Sequence, residues 1–165
     1  MKKKIISNTE FQGLIAELCR QITNSSWKPE YIVGITRGGL LPAIMISQYF
    51  NIPMQSLDVS LRDGGECVSN LGMAEDAYKG KNILIVDDIN DTGATLNWIM
   101  EDWPSGCYTN DPIWNTAWND SVRFAVVVDN LSSKCNVKMD YIGMEVNKAE
   151  NNVWIEFPYE EWWAK

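Results

Sequence analysis

The chain of 165 residues is 45% hydrophobic and 22% charged, with 22 acidic against 14 basic side chains and a net charge of −8. Its length suits one domain that buries its own core. The charge opposes a nucleic-acid backbone, and no apolar run nears the roughly 20 residues of a membrane span, so neither nucleic acid nor membrane is an expected partner.

The opening "MKKKIISNTEF" carries a basic cluster, yet only Ile5 and Ile6 follow before polar residues return. That is no signal-peptide core, and the expected location is cytoplasmic. Cys19, Cys67, Cys107 and Cys135 stand far apart without a C-x-x-C pair, which argues against a zinc site and for reduced thiols.

Ser7 lies three residues before Glu10 in a capping-box pattern, and Phe11, Leu14, Ile15, Leu18 and Ile22 recur at helical spacing, which predicts a helix over 8–23. "YIVGI" reads as a strand, "TRGG" as a tight loop, "LPAIMISQYF" as a helix and "MQSLDVSL" as the next strand. Residues 62–81 lack periodicity and read as a mobile loop with one short helix. A strand over 82–86 and a helix "GATLNWIMEDW" follow, then strands at "RFAVVVDN", "MDYIGMEV" and "NVWIEFPY". Alternating strands and helices predict an α/β domain over 1–165, a mainly parallel sheet flanked by helices. Residues 104–122 are long for a helix-to-strand connection and read as an insertion. Trp98, Trp103, Trp114 and Trp118 around it are expected to pack as a satellite cluster rather than to form a subunit contact.

In such a sheet ligands gather outside the carboxyl ends of the strands, where Asp87, Asp88 and Asp91 fall. Adjacent carboxylates there must meet solvent, a cation or ligand hydroxyls. The following "DTGAT" places Thr92, Gly93, Ala94 and Thr95 at a helix start, where unpaired N–H groups, the dipole and two hydroxyls suit a phosphate. Acceptors followed by donors fit a ribose phosphate. At another strand-to-helix junction, Arg37 with Gly38 and Gly39 offers a second anion site, weak alone because R-G-G is also a common surface turn.

"ILIVDDINDTGAT" resembles the signature of type I phosphoribosyltransferases, which bind phosphoribosyl pyrophosphate (PRPP). "WKPEYIVGITRGGLLPA" and "NVWIEFPYEEW" are similar to the pyrophosphate loop and the C-terminal base-binding segment of bacterial xanthine-guanine phosphoribosyltransferases. The resemblance covers most of the chain. It implies a single-domain fold with a small C-terminal hood, a flexible loop at about 61–80 that closes over PRPP, and a homodimer or homotetramer.

It also implies roles. Asp87 and Asp88 hold the ribose hydroxyls directly or through Mg²⁺, with Asp88 the first choice on the metal side. Asp91, Thr92, Gly93, Ala94 and Thr95 take the 5′-phosphate, and Asp91 is the proton acceptor for the incoming purine. Thr36, Arg37, Gly38 and Gly39 bind pyrophosphate around a cis peptide between Thr36 and Arg37. Trp154 stacks on the base, and the Ile155 carbonyl reads an exocyclic group. The implied reaction joins PRPP and a purine (xanthine, guanine or hypoxanthine) to give a nucleoside monophosphate and pyrophosphate. One departure stands out: where purine-using relatives carry a lysine, this chain has Asn130, with Lys134 four residues on as a substitute. Competing readings are a non-catalytic PRPP-binding regulator, disfavoured by the charge of −8, transfer to a non-purine base, and a receiver domain, disfavoured because all three acids share one loop.

Overall fold

The computed structural model describes residues 1–59, 61 and 67–165, and its first element was not predicted. Lys2–Ile5 forms a strand, β1, pairing in parallel with β7 (Val153–Glu156) in the register Lys3↔Trp154 and Lys4↔Ile155. All four β1 side chains are exposed, so no apolar alternation marks the strand. Backbone pairing holds it, together with an ion pair from Lys3 Nζ to Glu156 Oε2 at 2.8 Å and the buried Ile6, whose N–H donates to the Glu156 carbonyl at 2.9 Å. This two-stranded sheet is the hood.

Helix α1 (Asn8–Asn24) starts as expected: the Ser7 side chain accepts from the Glu10 N–H at 3.1 Å, and Phe11, Ile15, Leu18 and Ile22 are buried. The main sheet contains β2 (Tyr31–Thr36), β3 (Met54–Asp58), β4 (Ile83–Asn90), β5 (Val122–Asn130) and β6 (Tyr141–Val146), all parallel in the order β3-β2-β4-β5-β6. Its strands read as continuous apolar runs because both faces are covered. On one face Ile32, Leu84, Val86, Ala125 and Val127 meet α1 and α2 (Leu40–Phe50). On the other, Val33, Ile83, Ile85, Phe124 and Val126 meet α3 (Leu71–Tyr78) and α4 (Ala94–Gly106).

Several boundaries differ from the sequence reading, among them that β7 ends at Glu156 rather than Tyr159. β3 stops at Asp58 rather than Leu61. β4 runs on past Val86 to Asn90, because pairing with β5 continues through Asp87↔Val126, Ile89↔Val128 and Asn90↔Asp129 after the side chains turn polar. Asp87 and Asp88 thus sit inside the last turns of a strand, where alternation sends them to opposite faces. α4 continues beyond Trp103 through Pro104 to Gly106, since Trp103 and Pro104 are both buried and hold the last turn down. Of the 62–81 stretch, α3 buries Met73, Ala74 and Ala77; the loop at about 61–80 expected to close over PRPP includes residues 62–66, which lie outside the described residues.

The tryptophan segment is main core rather than a satellite. Trp118 lies 6.0 Å from Trp103, 5.6 Å from Trp114 and 6.1 Å from Phe124 of β5, ring centre to ring centre. The Trp114 indole N–H donates to the Cys107 carbonyl at 2.9 Å. A single turn at Pro112–Asn115 and a bridge between Trp118 and Val122 carry the chain into β5. Among the described residues no helix is long and apolar enough to cross a membrane.

The strand order fixes where a ligand can sit. After β2 the chain steps outward to β3, then returns across β2 to β4 and continues the other way. The loops leaving β2 and β4 therefore diverge, opening a crevice at the carboxyl ends of two neighbouring strands.

Candidate active site

The loops that diverge at this switch point are "TRGG" after β2 and "DTGAT" after β4, the two stretches picked out as anion sites. A cleft of about 990 Å³ lies over them. Thr36, Arg37, Gly38, Asp87, Asp88, Asp91, Thr92, Gly93, Ala94, Thr95, Trp154 and Ile155 all line it. Gly39 does not. It is buried at the start of α2, and a Cβ there would collide with the Val86 and Ile35 carbonyls, so this glycine serves helix-to-sheet packing.

The "DTGAT" side of the cleft is built by backbone. Gly93 caps α4 at φ 89°, a left-handed conformation that disfavours side chains, and a Cβ would strike the backbone of Cys135. The close neighbour is the connection after β5: the Lys134 N–H donates to the Thr92 carbonyl at 2.9 Å, and Asn97 of α4 donates to the Lys134 carbonyl at 2.9 Å and accepts from the Asn136 N–H at 2.8 Å. Lys134 thus supports the loop through its main chain. Its side chain is exposed and does not line the cleft.

Opposite, the acids are individually held. The Asp87 carboxylate accepts the Asp88 N–H at 2.9 Å, and Asp88 Oδ1 accepts the Ile89 N–H at 2.7 Å. Asp88 Oδ2 accepts the Tyr159 hydroxyl at 2.8 Å, and that hydroxyl also lies 3.1 Å from the Gly38 carbonyl. Gly38 is required here because a Cβ would run into the Asp88 carboxylate. Tyr159 is aimed by its surroundings: it stacks on Phe157 with centroids 5.6 Å apart, and Phe11 of α1 meets it edge-on at 5.9 Å. Burial, then the neighbouring Asp88 charge, pushes the phenol far above its ordinary range, so Tyr159 stays a donor. The peptide between Thr36 and Arg37 is cis, and the Thr36 hydroxyl donates to Asp58 Oδ1 at 3.0 Å.

The third side was not legible in the sequence. Lys148, in the turn between β6 and β7, places Nζ 2.8 Å from Asp91 Oδ1, with both side chains only about one-sixth exposed (16% and 17%). The same Nζ stands 5.7 Å from the Trp154 ring centre. Asn130 holds the arrangement together. Its amide donates to the Asp91 carbonyl at 2.9 Å, and its carbonyl oxygen accepts from the Ser132 hydroxyl at 2.9 Å and from the Lys148 N–H at 3.0 Å. Asn130 is 5% exposed, which suits a joint rather than a ligand-facing group. The available signal was the order in "EVNKAENNVWIEF": a lysine at the end of a parallel strand, on the ligand side of the sheet, just before the aromatic segment. Trp162 and Trp163 are 69% and 72% exposed, and Trp163 borders the cleft.

A family model described as the phosphoribosyl transferase domain matches residues 3–162. The chain belongs to the phosphoribosyltransferase family. Among curated relatives of this phosphoribosyltransferase, the xanthine-guanine phosphoribosyltransferase of Cereibacter sphaeroides is 28% identical over 142 residues, covering 83% of this chain and 71% of that protein. The xanthine-guanine phosphoribosyltransferase of Idiomarina loihiensis is 27% identical over 160 residues, covering 94% and 85%. The purine phosphoribosyltransferase of Pyrococcus horikoshii Ot3 superposes with a TM-score of 0.68 at 24% identity over 98% of this chain and 96% of that one, a likeness of fold.

Proposed function

We propose that this phosphoribosyltransferase moves the phosphoribosyl group of PRPP to a purine base, releasing pyrophosphate and a nucleoside monophosphate. The observation that carries the reading is the meeting, in one cleft, of the "DTGAT" helix start, the Asp87–Asp88 pair and Trp154. The names of the curated relatives, xanthine-guanine and hypoxanthine-guanine phosphoribosyltransferases, support a purine. In this reading the N–H groups at the start of α4 and the Thr92 and Thr95 hydroxyls take the 5′-phosphate, and the acids of β4 take the ribose hydroxyls. Arg37 and the Gly38 backbone face the pyrophosphate. Asp91, oriented by Lys148 and Asn130, accepts the ring proton as the base bonds to the sugar. Much of the catalysis is positioning and electrostatics.

Mg²⁺ belongs to this reading. Asp87 and Asp88 present the hard oxygens it takes, and among the described residues no group of three or more acidic, His or Cys side chains converges, so water and the diphosphate would supply its remaining ligands. The chemistry it supplies is neutralisation of the leaving pyrophosphate's charge. A cytosolic homodimer or homotetramer is part of the proposal, supported by the exposed Leu41 and Ile44 of α2, which an assembly would cover. The test is pyrophosphate release from PRPP with guanine, xanthine, hypoxanthine or adenine and Mg²⁺. Release that requires a purine is expected; release with none of them, in folded protein, overturns the reading.

A further inference from the structure

We infer that Asn90 and Ser133 are positioning residues for the 5′-phosphate, holding the connection after β5 as the wall against which the "DTGAT" loop takes its shape; this rests on the proposed seating of a phosphate on that loop. Both act through the backbone of Cys135.

Asn90 ends β4, one residue before the loop, and is 6% exposed although it borders the cleft. A buried amide costs stability unless both of its ends are paired. Here both are. Its NH2 donates to Oδ1 of Asp129, the facing residue on β5, at 2.9 Å, and its oxygen accepts the Ser133 hydroxyl at 3.0 Å. Ser133 Oγ then accepts the Cys135 N–H at 3.2 Å. Because a carboxylate only accepts, Asp129 fixes which way the amide points, and the amide fixes the hydroxyl. A polar chain thus runs one way from a charged group on the sheet to one N–H of the connection, each bond polarising the next.

The peptide held in this way is the one that meets the loop. Gly93 has φ 89°, and a Cβ built on it would lie 2.3 Å from the Cys135 nitrogen and 2.7 Å from its Cα. Gly93 caps α4, so a shift of Cys135 re-aims the unpaired N–H groups of the first helical turn. The bonds from Lys134 to the Thr92 carbonyl, and from Asn97 to Lys134 and Asn136, tie the connection to the loop and to α4. They keep these parts together. Ser133 adds the reference to the sheet, from two strands at once: its N–H donates to the Asn130 carbonyl of β5 at 2.8 Å and its hydroxyl to Asn90 of β4. Removing the hydroxyl leaves the first tie in place, so the connection stays folded but loses its aim.

Inosine monophosphate and inosine differ by the phosphate alone and make the test. Their dissociation constants would be measured by calorimetry, inosine by competition, in the wild type, Ser133→Ala, Ser133→Thr and Asn90→Leu. KM for PRPP and for hypoxanthine and thermal melts would be recorded beside them. In Ser133→Ala the dissociation constant for inosine monophosphate and the KM for PRPP should rise roughly 5- to 20-fold, a fraction of the roughly hundredfold that a misplacement of about 1 Å can cost. Inosine binding and the KM for hypoxanthine should stay within about twofold, since neither ligand carries a phosphate. Ser133→Thr keeps the hydroxyl and should remain within about threefold of the wild type on every reading, while Asn90→Leu should lose at least as much as Ser133→Ala. Equal weakening of inosine and its monophosphate, or a lower melting temperature with an unchanged ratio between them, would show that the network only supports the fold and would overturn the inference. Should Asn90→Leu fail to fold, the two Ser133 variants decide. If the wild type binds inosine monophosphate no more tightly than inosine, the proposed phosphate seat fails and takes the inference with it; if the wild type shows the preference and Ser133→Ala keeps it whole, the inference fails alone.

Discussion

The two ends of the cleft are made in different ways. The end proposed for the sugar phosphate comes from one run of sequence, 87–95, with Gly93 pinned by the backbone of Cys135. The end proposed for the base is assembled from four separated places: Asp91 after β4, Asn130 at the end of β5, Lys148 after β6 and Trp154 on β7. A contiguous loop at a helix start has one chemistry available to it, because the local geometry dictates donors and dipole. An assembled pocket can exchange the donor of a charge from one connection to another while keeping the charge. On the proposed function, the first end therefore carries the general reaction, and the second is where this chain is free to differ from its relatives.

The sharpest way to break that division is at Asp91, which belongs to both ends. Asp91→Asn keeps the volume and an oxygen to accept from Lys148 but removes the basic carboxylate. Turnover should fall about 10²- to 10⁴-fold, the usual weight of a positioned proton acceptor, while the dissociation constant for PRPP stays within about threefold. Steady-state kinetics beside a PRPP titration separates the two. A parallel fall in affinity would mean that Asp91 serves the phosphate rather than the base.

These two ends were unequally readable. The alternation of apolar strands and helical stretches specified the α/β class, and "VDDINDTGAT" pointed to a strand end and helix start that line the cleft, because each signal is local. β1 was hidden since three lysines and one isoleucine on an exposed strand have no period; its existence depends on a partner 150 residues away. Asn130 looked like a lost lysine because sequence order shows position without showing the turn that brings Lys148 alongside. Pro104 and the tryptophans suggested an insertion outside the core, whereas Trp103, Trp114 and Trp118 fill the face of the sheet that α4 covers. Tyr159 gave no signal at all: its hydroxyl matters because Phe11 and Phe157 aim it at Asp88.

Tyr159 offers an intermediate effect. Tyr159→Phe keeps the stacking on Phe157 and deletes the hydroxyl shared by Asp88 Oδ2 and the Gly38 carbonyl. A hydrogen bond to a charged group is worth about 1.5–3 kcal/mol, part of which water in the cleft restores. The expected result is a rise of about 5- to 10-fold in KM for PRPP with KM for the base unchanged, because Asp88 and the "TRGG" loop lie at the sugar-pyrophosphate end. If KM for the base rose instead, Tyr159 would belong to the other end, and the boundary between the two would have to move.

The smallest effect concerns the hood that brings Trp154 to the cleft. Glu156 lies below the usual carboxylate range chiefly through its hydrogen bond with Lys3, with the Lys3 charge and Lys165 adding to it against the opposing cost of burial. A carboxylate whose folded pKa is depressed contributes stability that is fully present above its unfolded value near 4.5 and is lost as pH falls through the folded value beneath it. Glu160 has the opposite sign, raised mainly by burial, so acid relieves it and offsets part of the loss. The hood should therefore loosen modestly below about pH 4 while the main sheet, held by apolar packing, persists. Amide exchange at Ile6, whose N–H donates to the Glu156 carbonyl, should quicken relative to the closed-state prediction between pH 5 and 3 while that at Val126 in the sheet does not. Glu156→Gln should flatten the difference, since the amide cannot titrate, and a hood whose exchange keeps the same pH response in that variant would be held by its backbone pairing with β1 alone.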